Sequence, residues 1–237
     1  RGFDSMLESA PTVICVLGMH RSGTSCLTGS LEESGVDLGE RHTWNPHNIK
    51  GNRENQAIVD LNDSVLAANA AAWDQPSHLV RWSADQLKEA RRLVTPAGSP
   101  KCFGFKDPRT LLTLDGWIQA LPELRFIGIY RNPMDVAQSL NNRSGMPIEA
   151  GLELWYQYNQ RLWKHYCVHR FPVLCFDDEE SIFKQKLKKI LIGFGLYDES
   201  TKKEFYEAGL RTASGDRAYE LDQRFLELLK KLKEMAE

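Results

Sequence analysis

The sequence has 237 residues, enough for one large α/β domain with a full core or at most two small ones. A formal net charge of −2 argues against a general nucleic-acid binder, so any basic site has to be local. Five cysteines at irregular spacing read as neither a disulfide framework nor a zinc site, and Cys15 and Cys102, in or beside apolar runs, are expected as buried thiols of a reducing compartment.

The first predicted element is a β-branched, apolar run (Val13, Ile14, Val16, Leu17) that stops at Gly18; after Gly23 the pattern turns helical through Cys26, Leu27 and Leu31. Between strand and helix, Gly18, Ser22 and Gly23 let the backbone wrap closely. Successive N–H groups can then converge at the positive end of the helix, which makes a nest for a phosphate-like anion. The spacing Gly18-x-x-x-x-Gly23 matches the start of the triphosphate P-loop, but Thr24 stands where that motif requires Lys, and the loop's cation is Arg21.

Gly35–Gly39 reads as a short strand or edge, and residues 40–52 as a long polar surface loop. His42 and His47 in that loop lack a third ligand and read as solvated rather than metal-bound. Ile58, Leu61, Val65 and Leu66 recur at helical spacing within Arg53–Ala72, and Ser83 with Gln86 forms a capping-box signature for a second amphipathic helix ending near Pro96. Trp44, Trp73 and Trp82 flank these helices. Packing is the simplest role of each, although flat amphipathic rings also suit the wall of a sugar or phenol pocket.

Lys101–Lys106 is predicted as a core strand ended by Asp107-Pro108, with Lys106 at the carboxyl end, where catalytic groups of open parallel sheets gather. Arg125–Tyr130 is a further buried-type strand, and Asn132-Pro133 then starts a helix through Val136, Ala137 and Leu140. Arg131 at the strand end, with Ser139 and Arg143 on one face of that helix, makes a second anion site. A long helix over Pro147–His169, a strand over Phe171–Asp178, a helix carrying Ile182 to Leu191 and a last helix from Leu221 to Met235 are all explicable as core. The strand ending at Asp177 also fits the hydrophobic strand and Asp of a triphosphate enzyme, which keeps a P-loop nucleotide kinase as an alternative. The missing P-loop Lys counts against it.

Gly18-Met-His-Arg-Ser-Gly-Thr-Ser25 resembles the 5′-phosphosulfate-binding loop of the sulfotransferases, in the version of many bacterial members and, from Arg21 onward, of tyrosylprotein sulfotransferases. Arg131-Asn-Pro-Met-Asp-Val-Ala-Gln-Ser139 is very similar to the 3′-phosphate-binding motif of cytosolic sulfotransferases, and Arg143 matches the tyrosylprotein enzymes. Lys50-Gly-Asn-Arg-Glu54 resembles a bacterial Lys-Gly-x-x-Glu unit that opens a helix. This makes Glu54 a candidate general base, beside the plainer role of a first-turn Glu on the helix dipole. Glu40 is the rival base, near the Gly-Glu-Glu segment of tyrosylprotein sulfotransferases. Lys106-Asp-Pro resembles the same unit in those enzymes and falls where cytosolic members keep Lys-Thr-His. Pro108 here replaces the His that serves them as base. Arg211-Thr-Ala-Ser-Gly-Asp216 is faintly similar to the loop that covers the 3′-phosphate.

The expectation is therefore a single domain over residues 1–237, a P-loop-containing three-layer α/β fold with a central parallel sheet flanked by helices, residues 40–100 carrying the acceptor-site loop and helices. The resemblance implies transfer of a sulfonate from 3′-phosphoadenosine 5′-phosphosulfate to a hydroxyl or amine of a small-molecule, glycan or peptide acceptor, without a metal. It assigns donor binding to His20, Arg21, Ser22, Gly23, Thr24, Ser25, Arg131, Ser139, Arg143 and Arg211, and catalysis to Glu54, Lys106 and Arg21. A non-catalytic nucleotide-binding relative is the alternative from another class. No apolar stretch reaches the roughly 18 residues of a membrane span, and residues 1–12 lack a signal-peptide pattern, so a cytoplasmic location is expected.

Overall fold

Alternation of side chains along the first strand sets the layers of this protein. A computed structural model describes residues 12–40, 53–95, 101–197 and 220–237. The chain runs β1 (Thr12–Leu17), α1 (Thr24–Glu33), α2 (Gln56–Ala68), α3 (Ala84–Leu93), β2 (Cys102–Lys106), α4 (Thr110–Ala120), β3 (Arg125–Tyr130), α5 (Pro133–Ser144), α6 (Ile148–His169), β4 (Val173–Cys175), α7 (Glu180–Gly193) and α8 (Gln223–Met235). All pairings are parallel, in the order β2-β1-β3-β4.

In β1, Cys15 and Leu17 join one apolar cluster while Ile14 and Val16 join the other. Leu27 and Leu31 of α1 and Phe183, Leu187 and Leu191 of α7 cover the Ile14 face. The Cys15 face is covered by α2 to α6 and α8, through residues such as Leu61, Trp117, Val136, Trp155 and Leu232. A sheet buried on both faces explains why its strands read as unbroken apolar runs.

β3 has the boundaries its sequence predicts, and the capping box of α3 is present, Ser83 Oγ accepting from Gln86 N and Gln86 Oε1 accepting from Ser83 N. Gly35–Gly39 contributes a single parallel bridge, Asp37 to Phe103, rather than a strand. The helix expected over Arg53–Ala72 starts later because Asn55 caps it, its side chain accepting from Ala57 N at 3.0 Å. α4 escaped the periodicity reading. It is buried on most sides, through Leu111, Leu112, Thr113, Leu114, Gly116 and Trp117, so it has no polar face to set a 3.6-residue stripe.

This topology positions a crevice. β1 and β3 are neighbours, yet α1 after β1 packs on one face and α5 after β3 packs on the other. Chains that diverge in this way leave a cleft beyond the carboxyl ends of the strands, the usual ligand site of open α/β sheets.

Candidate active site

The loop from β1 into α1 is shaped by two glycines and one arginine. A Cβ on Gly18 would lie 2.7 Å from the Ile129 carbonyl oxygen, so the loop passes close against β3. Gly23, the N-cap of α1, has φ of 86°, and a Cβ there would lie 2.2 Å from the Phe176 ring. Arg21 also has a left-handed φ, 66°, which is unusual for a residue with a side chain and marks a built turn. Among the described residues no side chain caps α1 and its first turn holds no acid, so the positive end of its dipole faces the crevice. Thr24 is buried and Ser25 half-buried in that first turn. Ser22 Oγ and His20 Nδ1 are buried and have no hydrogen-bond partner among the described residues. Orphaned polar atoms beside an open helix start fit an anion that completes them.

The second predicted anion site meets the first. Arg21 Nε donates to Ser139 Oγ of α5 at 2.7 Å, and Arg131 Nη1 donates to the Arg21 carbonyl at 3.4 Å. Arg131 is fixed from several sides: Trp155 Nε1 donates to its carbonyl at 2.8 Å, Asp177 Oδ1 lies 3.4 Å from its Nε, and its guanidinium lies over the Phe176 ring at 5.3 Å. Asp177 in turn accepts from Asn132 N at 2.6 Å. Burial raises the Asp177 carboxyl, and the Asn132 N–H and Arg131 act against that rise. An aspartate so engaged orients Arg131, which is not the arrangement a Mg²⁺ ligand of a kinase needs. Arg143, one turn beyond Ser139, is exposed at the end of α5.

At the end of β2, Lys106 Nζ donates to Glu54 Oε1 at 2.7 Å. Of the two carboxylates considered as base, Glu54 is therefore the one at the strand end; Glu40 is exposed. Arg53, with φ of 52°, precedes it and reaches Glu32 of α1 at 3.2 Å, which ties this segment to the first helix. Arg211 lies outside the described residues, as do Trp44, His42 and His47.

A polar hub under Lys106 was not foreseen. Asn62 of α2 donates to Asp107 Oδ2 at 2.8 Å and to Thr110 Oγ1 at 3.1 Å. Its carbonyl oxygen accepts from Thr113 Oγ1 at 2.8 Å and Trp117 Nε1 at 2.9 Å. Asp107 also accepts from Arg109 Nη1 at 2.9 Å, and Arg109 Nε reaches Asp63 at 2.7 Å. Burial dominates at Asp107 and raises its carboxyl, while Arg109 and Asn62 oppose it. A signal was available: Asn62 falls on the buried stripe of Ile58, Leu61, Val65 and Leu66, where a polar residue needs partners. Trp82 packs on Trp117 and Gly116 and donates to the Thr113 carbonyl, a structural role, whereas the Trp73 ring lies 4.9 Å from that of His20.

The crevice is cationic. Burial first, and then Arg109, Lys106, Arg143 and Arg21, hold the His20 imidazole well below its ordinary value, so the ring is neutral at neutral pH. Burial, Arg143 and Arg131 likewise lower the Arg21 guanidinium. Lys106 is paired with Glu54, Arg109 with Asp107 and Asp63, and Arg131 with Asp177, while the His20 imidazole and the Arg21 guanidinium still lie in a positive field that an entering anion would offset.

The profile of the sulfotransferase family matches residues 11–196 of the chain. Among solved structures, the sulfotransferase domain of the olefin synthase from Synechococcus PCC 7002 aligns with a TM-score of 0.60 at 15% identity, over 98% of each chain. A gluconokinase from Sinorhizobium meliloti 1021 aligns at a TM-score of 0.45 and 14% identity over 78% of this chain and 94% of its own. A sulfotransferase from Mycobacterium tuberculosis H37Rv aligns at 0.44 and 13% identity over 94% and 77%. No curated protein matches the sequence. No helix among the described residues is long and apolar enough to cross a membrane.

Proposed function

The chain belongs to the sulfotransferase family, and from that premise we propose that it transfers a sulfonate group from 3′-phosphoadenosine 5′-phosphosulfate to an acceptor hydroxyl or amine. The observation that carries this reading is the junction of the two anion loops, Arg21 Nε on Ser139 Oγ at 2.7 Å across 118 positions of sequence. A nucleotide with phosphates at both 3′ and 5′ positions needs two cradles that converge on one crevice, whereas a triphosphate needs a single long one.

The donor, when bound, supplies an activated sulfonate on a phosphate leaving group. The N–H groups that open α1, with Ser22, Thr24 and Ser25, would hold the 5′-phosphate, the orphaned Ser22 Oγ gaining a partner. Arg131, Ser139 and Arg143, with Arg211 as an added contact, would hold the 3′-phosphate. Lys106 and Arg21 would stabilise charge that develops on sulfonate and bridging oxygens, in a crevice where preorganised cations need no rearrangement. Glu54, which accepts a hydrogen bond from Lys106 Nζ, would take the acceptor's proton. Residues 40–100 would contribute the acceptor side, and a cytoplasmic setting is consistent with this donor.

Calorimetric titration with 3′,5′-adenosine bisphosphate, against ATP with Mg²⁺, tests the reading. Micromolar or tighter binding of the bisphosphate, weakened in Ser139→Ala, is the expected result. Preference for ATP with Mg²⁺ would replace a sulfotransferase with a kinase.

A further inference from the structure

His20 belongs to the glycine-rich loop but is gripped from across the crevice. Residues 69–82, between α2 and α3, close on themselves: Asn69 Nδ2 donates to the Arg81 carbonyl at 2.8 Å and Arg81 N donates to Asn69 Oδ1 at 2.9 Å. α6 pins this loop at two carbonyls, Tyr158 Oη donating to Trp73 O and Arg161 Nη2 to Ser77 O, each at 2.8 Å. The Trp73 ring held in this way lies 4.9 Å from the His20 ring at 54°, and the Tyr158 ring lies 5.8 Å away at 75°. Two rings of different elements thus fix the imidazole before any ligand arrives.

The clamp offers Nδ1 nothing. That atom is buried and has no hydrogen-bond partner among the described residues, a cost of roughly 5- to 100-fold in an equilibrium if nothing completes it. The charged groups that face the ring come from each side: Arg21 from its own loop, Lys106 and Arg109 from the end of β2, and Arg143 from α5. On α6, Tyr158 is neutral, its hydroxyl pushed far up chiefly by burial, and the carboxylates of Asp107 and Asp74 act on that hydroxyl. A neutral, oriented imidazole surrounded by cations changes state when a multiply charged anion enters, because the anion reverses the local field.

We propose that His20 is a positioning residue for the donor: as the bisphosphate nucleotide enters, the imidazole takes up one proton from solvent, and Nδ1–H donates to an anionic oxygen of the bound group. The inference rests on the donor-binding reading above and deepens it. It makes nucleotide binding proton-linked, with affinity that falls as pH rises from the value of the free imidazole to that of the liganded one and levels off beyond it.

Titration of the whole chain with 3′,5′-adenosine bisphosphate near neutral pH, in PIPES and in Tris, reads protons taken up per nucleotide, since the two buffers differ in ionisation enthalpy. The wild type is expected to take up close to one proton more than His20→Asn, which keeps an amide near the Nδ1 position but does not titrate. Affinity should fall less in His20→Asn than in His20→Ala, where a loss of about tenfold is expected. Histidine NMR of the wild type, free and saturated, is the readout that needs no variant to fold: one imidazole should pass from neutral to imidazolium on binding. Equal proton uptake in wild type and His20→Asn, or an imidazole that stays neutral in the complex, overturns the proposal and leaves the donor reading intact. Absence of bisphosphate binding by the wild type overturns both.

Discussion

Lys106 Nζ and Glu54 Oε1 lie 2.7 Å apart, the lysine 3% and the glutamate 16% exposed. Removing either partner leaves the other charge in a poorly hydrated place, which costs more than the pair itself contributes. Urea unfolding of Lys106→Met and Glu54→Gln is expected to show losses of about 1 to 3 kcal/mol each, with the double variant less destabilised than their sum. Additive losses would mean that the two groups do not sense one another. In transfer assays with labelled donor and an acceptor taken from a screen, Glu54→Gln should lose roughly 10²- to 10⁴-fold in kcat while bisphosphate affinity changes only a few-fold.

Gly23 is the point where backbone and packing constraints coincide. Its φ of 86° disfavours any side chain, and the Phe176 ring occupies the place of a Cβ. Gly23→Ala should destabilise the protein by more than the roughly 1 to 2 kcal/mol of the left-handed backbone alone and should weaken bisphosphate binding. Adding Phe176→Ala restores space but not φ, so thermal melting of the double variant is expected to recover against a Phe176→Ala background only in part. Full recovery would show that the clash, and not the backbone, governs this turn.

Which features could be read from the chain follows from how local their causes are. The loop Gly18–Ser25, the strand Arg125–Tyr130 and the Asn132-Pro133 helix start are set by neighbours in sequence: turn residues, β-branched runs and a cap. Arg21, Ser139, Glu54 and Lys106 were each marked as candidates, but their meetings are products of strand order, with partners 118 and 52 positions apart. α4 and the Asn62 hub were hidden for another reason. A helix buried on most sides shows no amphipathic stripe, and Thr110, Thr113 and Gly116 are weak helix formers held by packing. Asp177 fitted two functions in sequence, and only its contacts with Arg131 and Asn132 separate them.

Asn62 makes four side-chain hydrogen bonds with no exposure to water, joining α2, the end of β2 and α4. Asn62→Leu keeps the approximate volume but takes the partner from Asp107 Oδ2 and the Trp117 indole N–H, and leaves the Thr113 hydroxyl only its longer contacts with the Arg109 and Thr110 carbonyls. A loss of about 2 to 4 kcal/mol in urea unfolding is expected, several times that of an ordinary surface change. Asp107 sits directly after Lys106, so bisphosphate binding and transfer should weaken as well. A loss under about 0.5 kcal/mol would mean that water replaces the amide and that the hub does not brace the strand end.

His20 also gives stability a pH dependence whose sign can be worked out. Its folded-state value lies below the ordinary 6.5, so on acidification the unfolded chain binds a proton that the folded chain does not. Stability contributed by the neutral ring is present above 6.5 and is lost as pH falls through that value, by up to about 1.4 kcal/mol per unit. His165, lowered chiefly by burial, acts in the same direction. Asp107 and Asp177 act oppositely: burial raises them, so the folded chain binds protons more readily and gains stability as pH falls toward the ordinary carboxylate value of 3.8. The difference between wild type and His20→Asn isolates the imidazole from all of these. Denaturant unfolding from pH 8 to 5.5 should show a steeper acid loss in the wild type than in the variant. Saturating bisphosphate should remove the excess slope, because the liganded imidazole is then charged in the folded state too. Parallel curves without nucleotide would mean that His20 binds its proton in the empty crevice as readily as in the unfolded chain.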